Sequence, residues 1–255
     1  MKTLEIRNVS KSFWIESREV NVLKNINLTV KLGEFVSLVG MSGCGKTTLL
    51  RLIVGLDEHY DGDILLGGKK IQGACRKRGM IFQEPRLFPW LSVERNVSLA
   101  LSDKQRKQVN GTVQKHLELV GLKGFEKVSP KQLSGGMAQR AAFARALVAN
   151  PDVLLLDEPL GALDALTRIY MQQELERIWQ EEKTTMMMVT HDIDEAIQLS
   201  DRVVVMSSRP GEIKEIIPIS LPRPRNNKSP DFIAIKNQIL AHFQADSKQI
   251  FSWEI

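Results

Sequence analysis

The sequence predicts an α/β protein in which an antiparallel β layer lies beside a parallel core sheet and a helical lobe is inserted into the sheet domain. Three observations predict it. Segments 35–39, 153–156, 186–189 and 203–206 are short unbroken apolar runs, the pattern of strands covered on both faces. Helix-period stretches at 46–54, 166–179 and 193–199 follow the first three runs, the alternation that a parallel sheet with crossover helices requires. From 84 to 150 the strand runs stop, and turns alternate with helix-period stretches such as 113–120.

The first 32 residues alternate apolar and polar side chains, as in Leu4-Glu5-Ile6-Arg7 and Ile26-Asn27-Leu28-Thr29-Val30. That is the period of a half-exposed strand, so this stretch supplies the antiparallel layer. After Leu221-Pro222-Arg223-Pro224 helix period returns, with Phe232, Ile235, Ile239 and Phe243 on one face. The expected division is a main domain over 1–225, with the lobe at 84–150, and a helical tail over 226–255.

Bulk properties exclude several classes. A chain of 255 residues, 43% hydrophobic and 25% charged, buries a sizeable core. Its longest apolar runs fall far short of the roughly 20 residues of a membrane-spanning helix. The start, Met1-Lys2-Thr3-Leu4-Glu5, lacks the apolar stretch of a signal peptide, so a cytosolic chain is expected. The two cysteines, Cys44 and Cys75, have no Cys or His at ligand spacing, which argues against a disulfide or zinc. The net charge of +5 is scattered among acids and reads as a mildly basic surface rather than a nucleic-acid face. Met186-Met187-Met188 reads as core filling, and Arg223-Pro224-Arg225 as either a solvated turn or a contact with anionic lipid or a neighbouring subunit.

The chemistry begins at Gly40-Met41-Ser42-Gly43-Cys44-Gly45-Lys46-Thr47-Thr48, between an apolar strand and a helical pattern. Spelling and context match a phosphate-binding loop. Glycines let backbone N–H groups converge on a phosphate, and the helix start adds its positive dipole end. Gly40, Ser42, Gly43, Cys44, Gly45, Lys46, Thr47 and Thr48 are therefore candidate nucleotide contacts, with Lys46 on the β and γ phosphates and Thr47 on Mg²⁺. A second signal, Val153-Leu154-Leu155-Leu156-Asp157-Glu158, is an apolar strand ending in two acids. Asp157 is expected to serve the metal and Glu158 to polarise an attacking water, because phosphoryl transfer to water is mainly positioning and charge stabilisation.

A third element narrows the class. Leu133-Ser134-Gly135-Gly136-Met137-Ala138-Gln139-Arg140 precedes the acidic strand, with Ser134 as an N-cap and a helical run over 138–149. It resembles the signature of the ATP-binding-cassette family, with Met137 where that family usually has Gln. The resemblance covers nearly the whole chain and implies a P-loop NTPase cassette that hydrolyses ATP with Mg²⁺. It implies that Ser134, Gly135 and Gly136 meet ATP held by a second copy in a head-to-tail homodimer. It further implies that Gln83 touches Mg²⁺ and the water, that Asp164 of Gly161-Ala162-Leu163-Asp164 points to the opposite subunit, that His191 contacts the γ-phosphate and that Phe13 stacks on adenine.

Soluble cassette ATPases acting on nucleic acid or the ribosome usually carry two cassettes or a coiled-coil insertion, and small-molecule kinases lack the Leu-Ser-Gly-Gly element. A separate integral-membrane permease is implied, with the chain peripheral on the cytoplasmic face. The stretches from Gln83 to Trp90, from Leu160 to Arg168 and from Leu221 to Arg225 resemble the nitrate, sulfonate and taurine importers. The expected cargo is a small anion, aliphatic sulfonate first and nitrate or taurine next, delivered by a solute-binding protein.

Overall fold

The structure, a computed structural model, describes residues 2–102 and 111–251; Met1, residues 103–110 of the expected lobe and residues 252–255 of the expected tail lie outside them. Strands β1 (Leu4–Ile15) and β2 (Arg18–Val30) pair antiparallel through a two-residue loop, Glu16 and Ser17, both at positive φ (46° and 67°). Mirror-image turns of this kind match the right-handed strand twist. Alternation puts Leu4, Ile6, Ile26, Leu28 and Val30 inside and their polar neighbours outside. β1 also pairs with β4 (Asp61–Leu66), which pairs with β5 (Lys69–Lys70), giving the order β2-β1-β4-β5. The layer thus extends beyond residue 32. Its later strands escape the pattern because β4 opens on Asp61-Gly62-Asp63 and buries only Ile64 and Leu66.

The second sheet runs β10-β9-β3-β8-β7-β6, from β3 (Phe35–Val39), β6 (Arg78–Ile81), β7 (Val153–Asp157), β8 (Thr185–Val189), β9 (Arg202–Met206) and β10 (Ile213–Pro218). Its strands are parallel except β10, which pairs antiparallel with β9. Because successive residues of a buried strand face opposite sides, the methionines of β8 divide between two cores. Met187 packs with α1 (Lys46–Val54) and the antiparallel layer, and Met186 and Met188 pack on the other face, all fully buried. Core filling is their observed role.

Between the neighbouring strands β6 and β7 the chain passes through α2 (Val93–Ser98), α3 (Thr112–Leu119), a 3₁₀ turn (Pro130–Gln132) and α4 (Gly135–Leu147). Their Val93, Val97, Val113, Leu117 and Phe143 share one core with Leu175 and Ile178 of α5 (Ala165–Glu182) and with Ile81, Leu154 and Leu156 of the sheet. The lobe is therefore seated on the sheet through a continuous apolar contact. Among the described residues no helix is long and apolar enough to cross a membrane.

The segment Arg223-Pro224-Arg225 corrects its sequence reading. Arg225 is buried and donates to the carbonyls of Ile197, Gln198 (3.1 Å) and Ser200 (2.7 Å) at the end of α6 (Ile193–Leu199). Arg223 pairs with Asp201 (2.8 Å) and Glu176 (3.2 Å) and lies over the Trp179 ring at 4.3 Å. Helix C-terminal carbonyls need donors, and two guanidinium forks supply them here in place of solvent. The tail that follows, α7 (Pro230–Phe251), buries Phe232 and Ile239 against α6 and β9, and Lys236 pairs with Asp194 at 2.8 Å.

Candidate active site

The loop from Gly40 to Gly45 joins β3 to α1 and is pressed against its surroundings. Gly45, at φ 99°, sits where a side chain would strike Leu23 at 2.7 Å and Val22 at 3.0–3.1 Å. Only glycine suits both its conformation and its space. Cys44 is 1% exposed beneath the loop, so its small side chain packs there. Lys46 is 7% exposed, and its Nζ donates to the carbonyls of Gly40 (2.7 Å) and Met41 (3.0 Å), which holds the ammonium inside the loop's curve.

Thr47 Oγ1 donates to Asp157 Oδ1 at 2.8 Å, joining the start of α1 to the end of β7 across 110 residues. Burial pushes the Asp157 carboxyl upward, opposed by the Thr47 hydrogen bond and supported by the charge of neighbouring Glu158. Glu158 itself has φ 46°, a left-handed conformation that costs a non-glycine residue free energy and recurs at functional turns. Its Oε2 lies 3.4 Å from His191 Nδ1. A side chain at Gly161 would meet Gln83 Nε2 at 3.3 Å and Glu158 Oε2 at 3.6 Å, so the Gln83 amide lies beside that carboxylate.

These groups surround one cavity of about 640 Å³ lined by Phe13, Ser42, Lys46, Thr47, Glu158 and His191, among others. Phe13 is 37% exposed, and with Ile15, Val20 and Val22 it gives the cavity an apolar wall from the β1–β2 hairpin. One end thus offers amides, an ammonium and a carboxylate, and the other a ring and aliphatic side chains.

Ser134, Gly135, Gly136 and Asp164 are not brought to this cavity. Ser134 caps α4, its Oγ accepting from Met137 N at 3.3 Å, and with Gly136, Arg140, Thr167 and Tyr170 it lines a separate cleft of about 350 Å³. Asp164 caps α5 by accepting from Thr167 N at 3.1 Å, and hydrogen bonds with Thr167 hold its carboxyl below the ordinary range. The Met137 side chain is half-buried, packs against the lobe core and also lines the Ser134 cleft, where it offers a thioether in place of the family's amide.

Several residues escaped sequence reasoning. Gln139 of α4, 1% exposed, donates to Phe82 O at 3.3 Å, and Arg145 donates to Pro85 O and Arg86 O, both at 2.8 Å. The lobe thereby grips the backbone on either side of Gln83. Glu195, 3% exposed, accepts from Thr190 Oγ1 next to His191, and Thr190 Oγ1 accepts in turn from Asp192 N at 3.0 Å. Burial raises the Glu195 pKa to about 7 from an ordinary 4.5. A raised folded-state pKa means the fold favours the neutral acid, so this group's stabilisation is full below about pH 4.5 and is lost as pH rises through about 7. Over that interval the loss amounts to about 3 kcal/mol at roughly 1.4 kcal/mol per unit. Glu195→Gln, which does not titrate, is expected to gain stability relative to the unmodified chain between about pH 5 and pH 8. Denaturant unfolding at a series of pH values reads the difference, and a constant offset contradicts it.

A phosphate-binding loop at a sheet edge, strand-end acids beside it and a serine-capped lobe helix define a cassette-type P-loop ATPase. The ABC transporter family model matches residues 23–161, and the chain belongs to that family. It is 51% identical over 242 residues to the aliphatic sulfonates import ATP-binding protein SsuB of Bacillus anthracis, covering 95% of this chain and 96% of that one. It is 48% identical over 239 residues to the ABC transporter ATP-binding protein MJ0412 of Methanocaldococcus jannaschii, covering 93% and 90%. Among solved structures, the dimeric bacterial ABC transporter cassette MJ0796 matches 86% of this chain and all of its own at 32% identity with a TM-score of 0.72. The post-hydrolysis dimer of that cassette, bound to ADP and Pi, matches equally.

Proposed function

We propose that the chain is the ATP-hydrolysing subunit of an importer that takes up a small anion, aliphatic sulfonate first and nitrate or taurine next, through a separate permease. The observation that carries this reading is the convergence of Lys46, Thr47, Glu158 and His191 on one cavity while Ser134 lines another. A loop and a capped helix that line separate cavities on one chain fit a head-to-tail pair of chains sharing two nucleotides. The names of the similar proteins support import and the sulfonate preference.

Phe13 stacks on adenine, the amides from Gly43 to Thr48 and the Lys46 ammonium take the phosphates, and Ser134, Gly135 and Gly136 of the second copy close on the γ-phosphate. Thr47, exposed at the start of α1, and Asp157, half-buried at the end of β7, are the oxygen donors that would hold Mg²⁺, with Gln83 beside the neighbouring Glu158; a carboxylate and a hydroxyl suit that hard cation, which neutralises charge on phosphate oxygens when bound. Glu158 accepts the proton of the attacking water, and His191, 3.4 Å from that carboxylate, contacts the γ-phosphate. Asp164, capping α5, faces the opposite subunit in the closed pair.

Closure of the pair draws the lobes together, and the segment from Gln83 to Trp90 passes that motion on. Its Phe88 and Trp90 are 42% and 74% exposed, and Phe88 lines a groove of about 570 Å³ with Met80, Leu99 and Arg145, a surface suited to a helix of the permease. The chain works at the cytoplasmic face of the membrane, and a solute-binding protein feeds the permease.

Lys46→Ala is expected to weaken ATP binding roughly 10- to 100-fold, the loss of a charge-assisted contact. Titration calorimetry reads it directly, and unchanged affinity contradicts the role given to Lys46. For import itself, the isolated chain should hydrolyse ATP at a rate indifferent to sulfonate, nitrate or taurine. Stimulation should appear only with permease and solute-binding protein reconstituted in vesicles. Saturable binding of one of these anions to the chain alone, uncompeted by ATP, would overturn the assignment.

A further inference from the structure

The turn between β9 and β10 closes over the outer edge of the phosphate-binding loop, and it is built to hold its shape. Ser207 Oγ lies 2.9 Å from the carbonyls of both Ser208 and Pro210, which share its single hydroxyl hydrogen, and accepts from Glu212 N at 2.8 Å. Gly211 N donates to Val22 O at 2.9 Å, and Gly211 O accepts from Lys24 N at 3.0 Å, which ties the turn to β2. A side chain at Gly211 would fall 2.0 Å from Cys44 O, so the two backbones are in direct contact.

This scaffold presents Arg209. Its Nε and Nη2 both donate to Gly43 O, at 3.2 and 3.1 Å, and its side chain lines the same cavity as Lys46, Thr47 and Glu158. The C=O of Gly43 and the N–H of Cys44 belong to one planar peptide and point in opposite directions. A guanidinium that holds the carbonyl therefore fixes the orientation of the whole peptide unit at the heart of the loop. An arginine carries five N–H donors in a fixed fork, and a single carbonyl engages only part of it. Among the described residues no carboxylate within ion-pair distance of Arg209 is found, so its charge stands at the rim of the cavity facing whatever anion enters.

We propose that Arg209 is a positioning residue of the nucleotide site, which fixes the Gly43–Cys44 peptide and adds a positive charge directed at the polyphosphate. The inference rests on the reading of this cavity as the ATP site. It makes the affinity contribution of Arg209 grow with the number of phosphates on the nucleotide and shrink as salt rises, whereas a purely structural support of the loop would give a loss independent of salt that Arg209→Lys does not recover.

The test compares Arg209→Ala, Arg209→Gln and Arg209→Lys for binding of ATP, ADP and adenosine, with Lys46→Ala in parallel. Arg209→Ala should weaken ATP binding roughly 5- to 30-fold, as loss of a partly exposed charge-assisted contact predicts, ADP less, and adenosine least. In turnover the effect should fall on KM for ATP more than on kcat. Arg209→Lys should recover much of the loss at low salt and lose that recovery as salt rises, whereas Arg209→Gln, which keeps a donor without charge, should recover less. Equal loss for all three ligands, or ATP affinity unchanged in all three variants while Lys46→Ala loses it, overturns the role of Arg209 and leaves the ATP site standing. If the unmodified chain does not bind ATP, or Lys46→Ala binds it normally, the reading of the cavity fails and the inference falls with it.

Discussion

Glu158→Gln is expected to keep ATP binding and to lower turnover by roughly 10²- to 10⁴-fold, the range that a positioned general base contributes. The carboxylate stands at the end of β7 with its Oε2 3.4 Å from His191 Nδ1 and about one-third of its side chain exposed, open to water from the cavity yet held by neighbours. An amide keeps the length and shape of the side chain and also its left-handed backbone position, so the geometry of Asp157 and Thr47 is preserved. It cannot take up a proton at neutral pH. Binding measured by calorimetry and phosphate release at saturating ATP separate the two functions. Hydrolysis at near the unmodified rate would show that another group activates the water, and His191 would be the next to examine.

What the sequence made legible was local. The ends of β3, α1 and α6 agree with the apolar runs and helix periods because each is read from contiguous residues, and the phosphate-binding loop is contiguous too. The hydrogen bond between Thr47 and Asp157 spans 110 residues, and the sequence indicates only that each is a separate candidate for the metal, because strand-end acids are the usual partner of such a loop. Contacts without a motif left no signal. Arg225 reads as one more basic residue between prolines, and nothing nearby in sequence indicates that the carbonyls of Ile197, Gln198 and Ser200 await it. Arg209 is equally silent, since its acceptor Gly43 lies 166 residues away. Gln139 and Arg145 fall in a helix recognised for its cap, while their work is done on the backbone of residues 82–86. Short or edge strands were also missed: β6 has four residues, and β10 ends in Pro218 at the sheet margin. β6 opens on Arg78-Gly79 and β10 breaks its apolar residues with Lys214-Glu215, so neither forms the unbroken apolar run by which the five-residue strands β3, β7, β8 and β9 are read.

The separation of Ser134 from the phosphate-binding loop carries the second large effect. The α4 N-terminus presents amides whose dipole favours an anion, yet its cleft shares no residue with the cavity around Lys46. If each ATP is held by the loop of one chain and the capped helix of the other, defects in the two elements combine by site and not by chain. Heterodimers in a Glu158→Gln background, where ATP is trapped and not consumed, distinguish the two arrangements by counting occluded nucleotide. Pairing a Lys46→Ala chain with a Ser134→Arg chain should leave one intact site and about one ATP per dimer, by the shared-site geometry. Placing both substitutions on one chain, and pairing it with a chain carrying neither, should leave one defect in each site and little or no occluded ATP. Occlusion in the second pairing and none in the first would mean that each chain holds its nucleotide alone, which contradicts the shared site on which the proposed cycle depends.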